Sequence, residues 1–140
     1  MTSPGALCGG REAGVHRLEL RVYYEDTDFS GFVYHASYLR FLERGRTEWL
    51  RALGLHQGEI HAGEAPFVFV VRSMTVDWLK PARMDDVLTI ETRLAALGGA
   101  SAELAQTGLR GGERLLEASV RVACVAGGRP RRLPDLLRNA

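Results

Sequence analysis

The chain has 140 residues, of which 46% are hydrophobic and 25% are charged, and its formal net charge is +1 at pH 7. This length suits one domain with a buried core, and the composition is that of an ordinary soluble globular protein. A nearly neutral chain has no general attraction for nucleic acid or anionic membranes. No run approaches the roughly 18 apolar residues of a membrane span, and the first residues lack a secretory signal pattern. We therefore predict a cytoplasmic protein with no nucleic-acid partner and no membrane span.

The cysteines and loop histidines do not suggest a disulfide or a metal site. Cys8 lies in a Gly-rich leader and Cys124 in an alternating apolar run, and neither has a second ligand at metal spacing. His56 and His61 lie in a predicted polar loop, residues 55 to 65, without a suitable third ligand nearby. This pattern favours solvated histidines over zinc ligands. We predict no disulfide framework and no metal.

The first half of the chain predicts a tail, a strand and a long helix. Residues 1 to 15 are rich in Gly, Ala, Ser and Pro and are predicted to be a flexible tail before a single domain at residues 16 to 140. Alternation from Leu18 to Glu25 is typical of a strand with one buried face. Apolar residues recur at helical spacing from Ala36 to Leu53, and the apolar arc covers about half of the helix circumference. This width predicts a helix largely wrapped by a sheet.

Four more strands are predicted after the helix. The run from Phe67 to Leu79 is apolar on both faces in its first half, which favours a place at the sheet centre or against a second subunit. Gly-Gly pairs separate the last three strands and are strong hairpin signals. These strands are predicted at Val87 to Ala96, Ser101 to Leu109 and Leu115 to Val125, and Pro134 is predicted to start a short terminal helix. One broad helix beside an antiparallel sheet is an α+β arrangement whose uncovered surface favours a symmetric homodimer.

The segment from Asp26 to His35 joins the first strand to the helix and carries two aspartates and a histidine. Its short polar side chains bond readily to nearby backbone, and Gly31 permits a positive φ or the close approach of a ligand. The helix start near His35 presents unpaired N–H groups that can hold a developing negative charge. Asp28, just before that start, would then be half of a hydrolytic site. Spacing alone leaves a second interpretation open, in which Asp28 only caps the helix or braces the turn.

Glu43 is a second candidate for a catalytic carboxylate. On a helical wheel Arg46 lies inside the apolar arc, one turn after Glu43 on the edge of that arc. Because an unpaired buried charge is costly, we expect the two side chains to pair or the guanidinium group to reach outward. A pair that braces the helix is favoured over catalysis by Glu43.

Short segments along most of the chain carry the pattern of a known family. They are Tyr23-Tyr24-Glu25-Asp26-Thr27-Asp28, Gly31, Val33-Tyr34-His35-Ala36, Tyr38-Leu39, Glu43-Arg44, Phe67 to Val76, Lys80 to Asp86 and Arg129-Pro130-Arg131. Together they resemble the YbgC-type acyl-CoA thioesterases, in the 4-hydroxybenzoyl-CoA thioesterase group of the hotdog-fold superfamily. The resemblance covers roughly residues 18 to 135 and is most specific in the acidic loop.

The resemblance implies a hotdog fold, in which a long central helix is wrapped by a curved antiparallel sheet, here of about five strands. Such proteins form homodimers and often homotetramers, with active sites at the dimer interface. The position of Asp28 is that of the catalytic carboxylate, which acts as a nucleophile on the thioester carbonyl or as a base toward water. The amide of His35 is the expected oxyanion donor, and the His35 side chain is a candidate proton donor.

The implied function is hydrolysis of an acyl-CoA thioester to the free acid and coenzyme A. Coenzyme A is part of the substrate, so no separate cofactor is expected. We expect substrate contacts from Gly31, Val33 and Tyr34, and contacts to the coenzyme A phosphates from Arg72 and Arg83. Acyl carrier protein is a further candidate partner.

Two other functions stay open at this point. One is a non-catalytic module that binds acyl-CoA or acyl carrier protein, in which Asp28 would be dispensable. The other is a hotdog dehydratase, against which the absence of histidine between Ala36 and Leu53 argues. Gly45 departs from the family pattern, where alanine is expected, and its flexibility is predicted to loosen the helix by about 1 kcal/mol.

Overall fold

A computed structural model describes residues 7 to 140, which contain a long helix and a seven-stranded antiparallel sheet. The long helix is α1, His35–Ala52, and a short helix is α2, Gln57–His61. The strands are β1 (Gly10–Glu12), β2 (Val15–Arg21), β3 (Val68–Trp78), β4 (Val87–Leu97), β5 (Ser101–Arg110), β6 (Glu113–Ala126) and β7 (Arg129–Pro130). Their order across the sheet is β1-β2-β4-β5-β6-β3, and β7 pairs with β6.

The predicted α+β architecture is confirmed. The four strands predicted after the helix correspond to β3 to β6, and no end differs by more than two residues. Both Gly-Gly hairpins are present, and the predicted terminal helix is a 3-10 turn at Asp135–Asn139. The sheet has seven strands rather than five because β1 and β7 each add a short hairpin partner.

One hydrophobic core lies between α1 and the sheet. Its fully buried members include Phe41, Leu42 and Trp49 from the helix and Leu88, Ile90, Leu104, Leu116 and Val120 from the strands. Each such side chain contributes about 1.5–3 kcal/mol relative to an exposed one. Irregular register in β3 after Val71, and in β4 after Leu94, is of the kind that bends strands, which lets the sheet curve around the helix.

The first predicted strand is shorter than expected. β2 ends at Arg21 instead of Glu25, and Tyr24–Asp26 form a 3-10 turn. The Asp26 carboxylate accepts the Tyr23 N–H at 2.8 Å, and the Tyr23 carbonyl accepts the Asp26 N–H at 3.0 Å. These local bonds replace strand pairing, so the alternating pattern at these positions does not reflect a buried face.

The predicted flexible tail contains a strand, because β1 pairs with β2. Ala13 and Gly14 between them have φ values of +52° and +77°, the backbone of a tight two-residue hairpin turn. Alanine rarely adopts this conformation, so the turn carries no sequence signal. The part of the predicted tail at residues 1 to 6 lies outside the described residues, and the assignment of residues 16 to 140 to one domain stays a prediction.

The predicted loop at residues 55 to 65 contains α2. The Ile60 N–H donates to the His56 carbonyl at 3.0 Å, which closes a helical turn. Leu55 is buried and Ile60 is half-buried against the core, and this apolar contact holds the short helix although its composition is polar.

β3 lies at the edge of the sheet, and among the described residues it pairs with β6 alone. Of its two predicted places, the sheet centre is therefore wrong, and contact with a second subunit stays a prediction. The valines in its first half are exposed, Val68 by 41%, Val70 by 37% and Val71 by 46%, and so is Trp78 at its end, by 44%. An edge strand with such side chains invites pairing with another chain.

α1 comes close to the sheet at Gly45. A Cβ atom at this position would lie 2.6 Å from Ile90 Cγ2 and 3.1 Å from Thr92 Oγ1. Beside it Gln106 Nε2 donates to the Leu42 carbonyl and to Thr92 Oγ1, each at 2.9 Å. The absence of a side chain at Gly45 therefore lets α1 pack closely against these sheet residues. From the sequence we expected only a more flexible helix at this position.

Arg46 uses the same polar cluster. Its Nη1 donates to Gln106 Oε1 at 3.1 Å, whereas we expected the guanidinium group to pair with Glu43 or to reach outward. Burial lowers the pKa of Arg46, and the negative charge of Glu43 opposes this effect. The guanidinium group is thus held inside the fold by an amide oxygen, with Glu43 as a neighbouring charge.

We expect Gly45→Ala to lower the free energy of unfolding by up to about 2 kcal/mol. Alanine has a helix propensity better by about 1 kcal/mol, but overpacking against the stiff Ile90 side chain costs about 1–3 kcal/mol. The matched control is Gly58→Ala in α2, where nothing lies within 4 Å of the added Cβ. Urea denaturation measures both, and a more stable Gly45→Ala variant would show that α1 shifts without cost.

Candidate active site

Backbone hydrogen bonds hold both ends of the acidic loop between β2 and α1. The Tyr34 N–H donates to the Asp26 carbonyl, and the Val33 N–H donates to the Ala82 carbonyl, each at 2.9 Å. The first bond closes the loop on itself, and the second attaches it to the connection between β3 and β4. The loop is therefore a fixed platform at the start of the helix.

The two aspartates of the loop have different environments. Asp26 is buried, and its carboxylate bonds to the Tyr23 amide, so it has a structural role. Asp28 is exposed, and the turn after it is closed by Gly31, whose φ is +86° and whose N–H donates to the Asp28 carbonyl at 3.0 Å. This positive φ accounts for glycine at position 31. The free carboxylate of the loop is thus that of Asp28.

Ser30 controls the ionisation of Asp28. The Ser30 hydroxyl and the Ser30 N–H both donate to Asp28 Oδ1, the latter at 2.8 Å. These bonds hold the pKa of Asp28 below its usual range, with a smaller contribution from nearby His35. Oδ2 accepts no hydrogen bond from residues 7 to 140. At neutral pH the site therefore holds an ionised carboxylate with one oxygen available for chemistry.

α1 begins at His35, directly after this loop. Tyr34 occupies the cap position without a side-chain hydrogen bond, and its carbonyl accepts the Ser37 N–H at 2.8 Å. Within the described chain, the N–H groups of His35 and Ala36 donate to no backbone carbonyl. These two donors and the positive end of the helix dipole can stabilise an oxyanion.

An aromatic cluster fixes the helix start against the end of β3. The rings of His35 and Trp78 lie 4.7 Å apart between centroids, and those of Tyr38 and Trp78 lie 5.1 Å apart. The Tyr38 hydroxyl accepts the Ala82 N–H at 2.8 Å. Burial raises the pKa of Tyr38, so its hydroxyl stays protonated at neutral pH. The imidazole of His35 is thus oriented by packing.

These elements surround a cleft of about 280 Å³. Asp28, Val33 and His35, all predicted from the sequence, line it together. Gly31 and Tyr34 adjoin these residues in the chain without lining the cleft. The other lining residues are Ser30, Phe32, Tyr38, Trp78, Leu79, Lys80 and Pro81.

The two predicted phosphate ligands lie at different distances from this cleft. Arg83 is adjacent to it, because its guanidinium group stacks 5.0 Å from the ring centroid of Phe32 and the two backbones form a bridge. Arg72 is at the irregularity of β3, six residues before Trp78 or about 20 Å along the strand. Arg72 does not reach the cleft of its own chain.

Sequence reasoning missed three residues that shape the cleft. Ser30 follows Asp28 by two positions, a spacing at which a serine can bond to an aspartate side chain, and this was a usable signal. Trp78 and Tyr38 carried no such signal, because an aromatic residue at strand or helix spacing is most simply a core residue. Trp78 and Tyr38 line the cleft only because the end of β3 packs against the start of α1 in the folded protein.

Within residues 7 to 140, no helix combines the length and apolarity that crossing a membrane requires. The same residues contain no cluster of three or more His, Cys, Asp or Glu side chains arranged for a metal ion.

Known proteins are similar to this chain in both sequence and fold. Residues 30 to 117 match the model of the thioesterase superfamily. The acyl-CoA thioester hydrolase YbgC of Escherichia coli is 46% identical over 121 residues, which cover 84% of this chain and 89% of that protein. The acyl-CoA thioesterase YbgC of Haemophilus influenzae is 44% identical over 110 residues, or 79% and 80% of the two chains.

A crystal structure of a probable thioesterase from Bartonella henselae superposes with a TM-score of 0.83 at 45% identity, covering 86% of this chain and 99% of that one. The chain belongs to the YbgC family of thioesterases. Membership of this family confirms the resemblance and the predicted hotdog fold, and makes the chain an enzyme, a thioester hydrolase.

We expect Ser30→Ala to move the acidic limb of the pH profile of kcat/KM to higher pH. The serine hydroxyl donates to the ionised form of Asp28, so its loss lets the pKa of that carboxyl rise toward its ordinary value. The control is Thr27→Ala, which deletes a loop hydroxyl that bonds to the Tyr24 carbonyl instead. Identical acidic limbs for wild type and Ser30→Ala would contradict the role given to Ser30.

Proposed function

We propose that this protein hydrolyses acyl-CoA thioesters to a free acid and coenzyme A, with Asp28 as the catalytic carboxylate. The observation that carries the proposal is that Asp28 and His35, the first residue of α1, line one cleft. A carboxylate and a helix start then face the same reacting group. The names of the relatives in Escherichia coli and Haemophilus influenzae support the same substrate class.

In the proposed reaction Asp28 Oδ2 attacks the carbonyl carbon of the thioester. The carbonyl oxygen becomes negative and is held by the N–H groups of His35 and Ala36. When the tetrahedral intermediate collapses, the carbon–sulfur bond breaks, the sulfur takes a proton from the His35 imidazole, and coenzyme A leaves as a thiol. Water then cleaves the acyl-aspartyl anhydride and releases the acid.

The side chains around the cleft have supporting roles in this proposal. The His35 imidazole, oriented by Trp78, gives a proton to the departing sulfur. Gly31, Val33 and Tyr34 shape the loop against the substrate. Arg83, next to Phe32 at the mouth of the cleft, binds a coenzyme A phosphate.

The enzyme acts as a homodimer formed by antiparallel pairing of two β3 edges. The exposed side chains of Val68, Val70 and Val71 and the unpaired strand edge support this arrangement. A two-fold axis would place the Trp78 end of one β3 beside the Val68 end of the other. Arg72 would then lie nearer to the cleft of the partner subunit than to that of its own chain. A homotetramer, acyl carrier protein as a partner and a cytoplasmic location stay predictions.

Asp28→Asn should reduce thiol release from acyl-CoA esters by at least about 100-fold, since it removes the attacking charge at constant size. The matched control is Glu43→Gln, which neutralises a carboxylate on α1 and should affect mainly stability. A panel of short, long and aromatic acyl-CoA esters measures both, and circular dichroism checks the folds. Near-normal turnover by Asp28→Asn with an inactive Glu43→Gln would overturn the assignment. No turnover of any ester by the wild type would overturn the activity.

Val71→Lys should convert the homodimer to a monomer, because it puts a charge on the pairing edge of β3. Val87→Lys on β4 is the control, since Val87 is exposed to a similar degree, 41% against 46%. Light scattering after size exclusion gives the mass of each variant. A wild type that is already monomeric, or a Val71→Lys variant that stays dimeric, would contradict the proposed interface.

A further inference from the structure

The connection between β3 and β4, residues 79 to 86, forms one wall of the Asp28 cleft. Its residues 79 to 81 line the cleft, and Ala82 is hydrogen-bonded to the start of α1 and to the acidic loop through its two backbone groups. No helix or strand runs through this described segment, so contacts with neighbouring elements set its position. A side chain that holds the connection in place therefore affects the geometry of the whole cleft.

Arg110, the last residue of β5, is bonded to both ends of this connection. Its Nη1 donates to Asp86 Oδ2 at 2.8 Å and to the Pro81 carbonyl at 3.4 Å. Its Nη2 donates to Glu113 Oε1 at 2.7 Å, and Glu113 Oε2 accepts Lys80 Nζ at 2.6 Å. The side chains of Arg110, Asp86, Glu113 and Lys80 are called the Arg110 clamp below. The clamp joins the hairpin of β5 and β6 to the wall of the cleft.

Asp86 extends the clamp to the acidic loop. Its Oδ2 also accepts the Arg83 N–H at 2.9 Å, and the Arg83 backbone forms a bridge with Phe32. Phe32 lies in the loop that carries Asp28, and its carbonyl accepts the Asp28 N–H at 3.1 Å. A continuous series of contacts therefore connects the Arg110 guanidinium group with the backbone of Asp28.

The two carboxylates of the clamp are ionised at neutral pH. Hydrogen bonds from Lys80 and Arg110 hold the pKa of Glu113 below its usual range. Burial raises the pKa of Asp86, but hydrogen bonds from the Arg83 N–H and from Arg110 outweigh this effect and lower it. An isolated surface ion pair adds little stability, whereas an arginine bonded to two carboxylates in a network also restrains their geometry.

We propose that Arg110 is a positioning residue for the proposed thioester hydrolysis. It does not line the cleft itself. It acts by fixing residues 79 to 86 and, through them, the position of Asp28 relative to the start of α1. Reaction rates depend steeply on such alignment, because a misplacement of about 1 Å can cost about 100-fold. This inference rests on the proposed function and adds a residue to it.

Kinetics of Arg110→Met test this role. The substitution removes the charged donors and keeps an unbranched side chain. We expect kcat for an acyl-CoA ester to fall about tenfold while KM changes less than about twofold, because every residue that lines the cleft is retained. Arg110→Lys keeps the charge without the fork of donors and should recover part of the loss. The matched control is Arg114→Met, which breaks a pair with Glu117 of 2.6 Å on the same hairpin and should leave kcat unchanged.

Amide hydrogen exchange tests the clamp without relying on turnover. In Arg110→Met we expect faster exchange in residues 79 to 86 and in the acidic loop, with wild-type exchange at the buried centre of β4. A general loss of stability would instead speed exchange throughout the fold. Arg114→Met should exchange like the wild type in both segments.

Three results would overturn the inference. They are an unchanged kcat in Arg110→Met, an equal loss of kcat in Arg114→Met, and faster exchange in Arg110→Met spread over the whole chain. Each of them, with turnover by the wild type, leaves the proposed function intact. A wild type that hydrolyses no ester, together with the local change in exchange, would contradict the proposed function and support the clamp.

Discussion

Both backbone groups of Ala82 are hydrogen-bonded within the site, and the geometry of the cleft depends on these two bonds. The Ala82 N–H donates to the Tyr38 hydroxyl, and its carbonyl accepts the Val33 N–H. Since this residue is fully buried, neither group has water as an alternative partner. The helix, the acidic loop and the β3–β4 connection, far apart in sequence, are thereby held in one arrangement. The two hydrogen bonds of Ala82 therefore fix the position of Asp28 relative to the start of α1.

The two aspartates of the acidic loop have different roles, one structural and one chemical. Asp26 is buried, and its carboxylate accepts the backbone N–H of Tyr23 in the preceding turn. Asp28, two residues later, is exposed and is bonded through one oxygen to Ser30. Hydrogen bonds to an ionised carboxylate also make it less reactive, because they stabilise its charge. A single occupied oxygen keeps the charge present at neutral pH while the second oxygen stays accessible.

Much of the fold could be predicted from the sequence, because its periodic patterns coincide with buried faces. The helix from Ala36 to Leu53 and the strands β4 to β6 bury the faces that their spacing indicates. The hairpin at Ala13 and the turn at Tyr24 could not be predicted, since one requires an unusual φ for alanine and the other replaces strand pairing by a side-chain bond. The edge position of β3 is a property of topology that the composition of one strand does not encode.

The candidate site, like the fold, could be predicted only in part from the sequence. Local polar patterning identified the acidic loop and the helix start, and the family resemblance selected Asp28 over the capping interpretation. The positions of Trp78 and of Tyr38 relative to His35 depend on contacts between distant segments. Such contacts are set by the complete fold, so only a structure could assign these aromatic residues to the cleft.

The close approach of α1 to the sheet has a consequence for how this sequence can change over time. Gly45 lies against Ile90, Thr92 and Gln106, and it cannot gain a side chain unless one of these three yields space. Relatives with alanine at position 45 are therefore expected to have a smaller or differently branched residue at one of the other three positions. We therefore expect the four positions to vary together within the family, although the first and the last lie 61 positions apart.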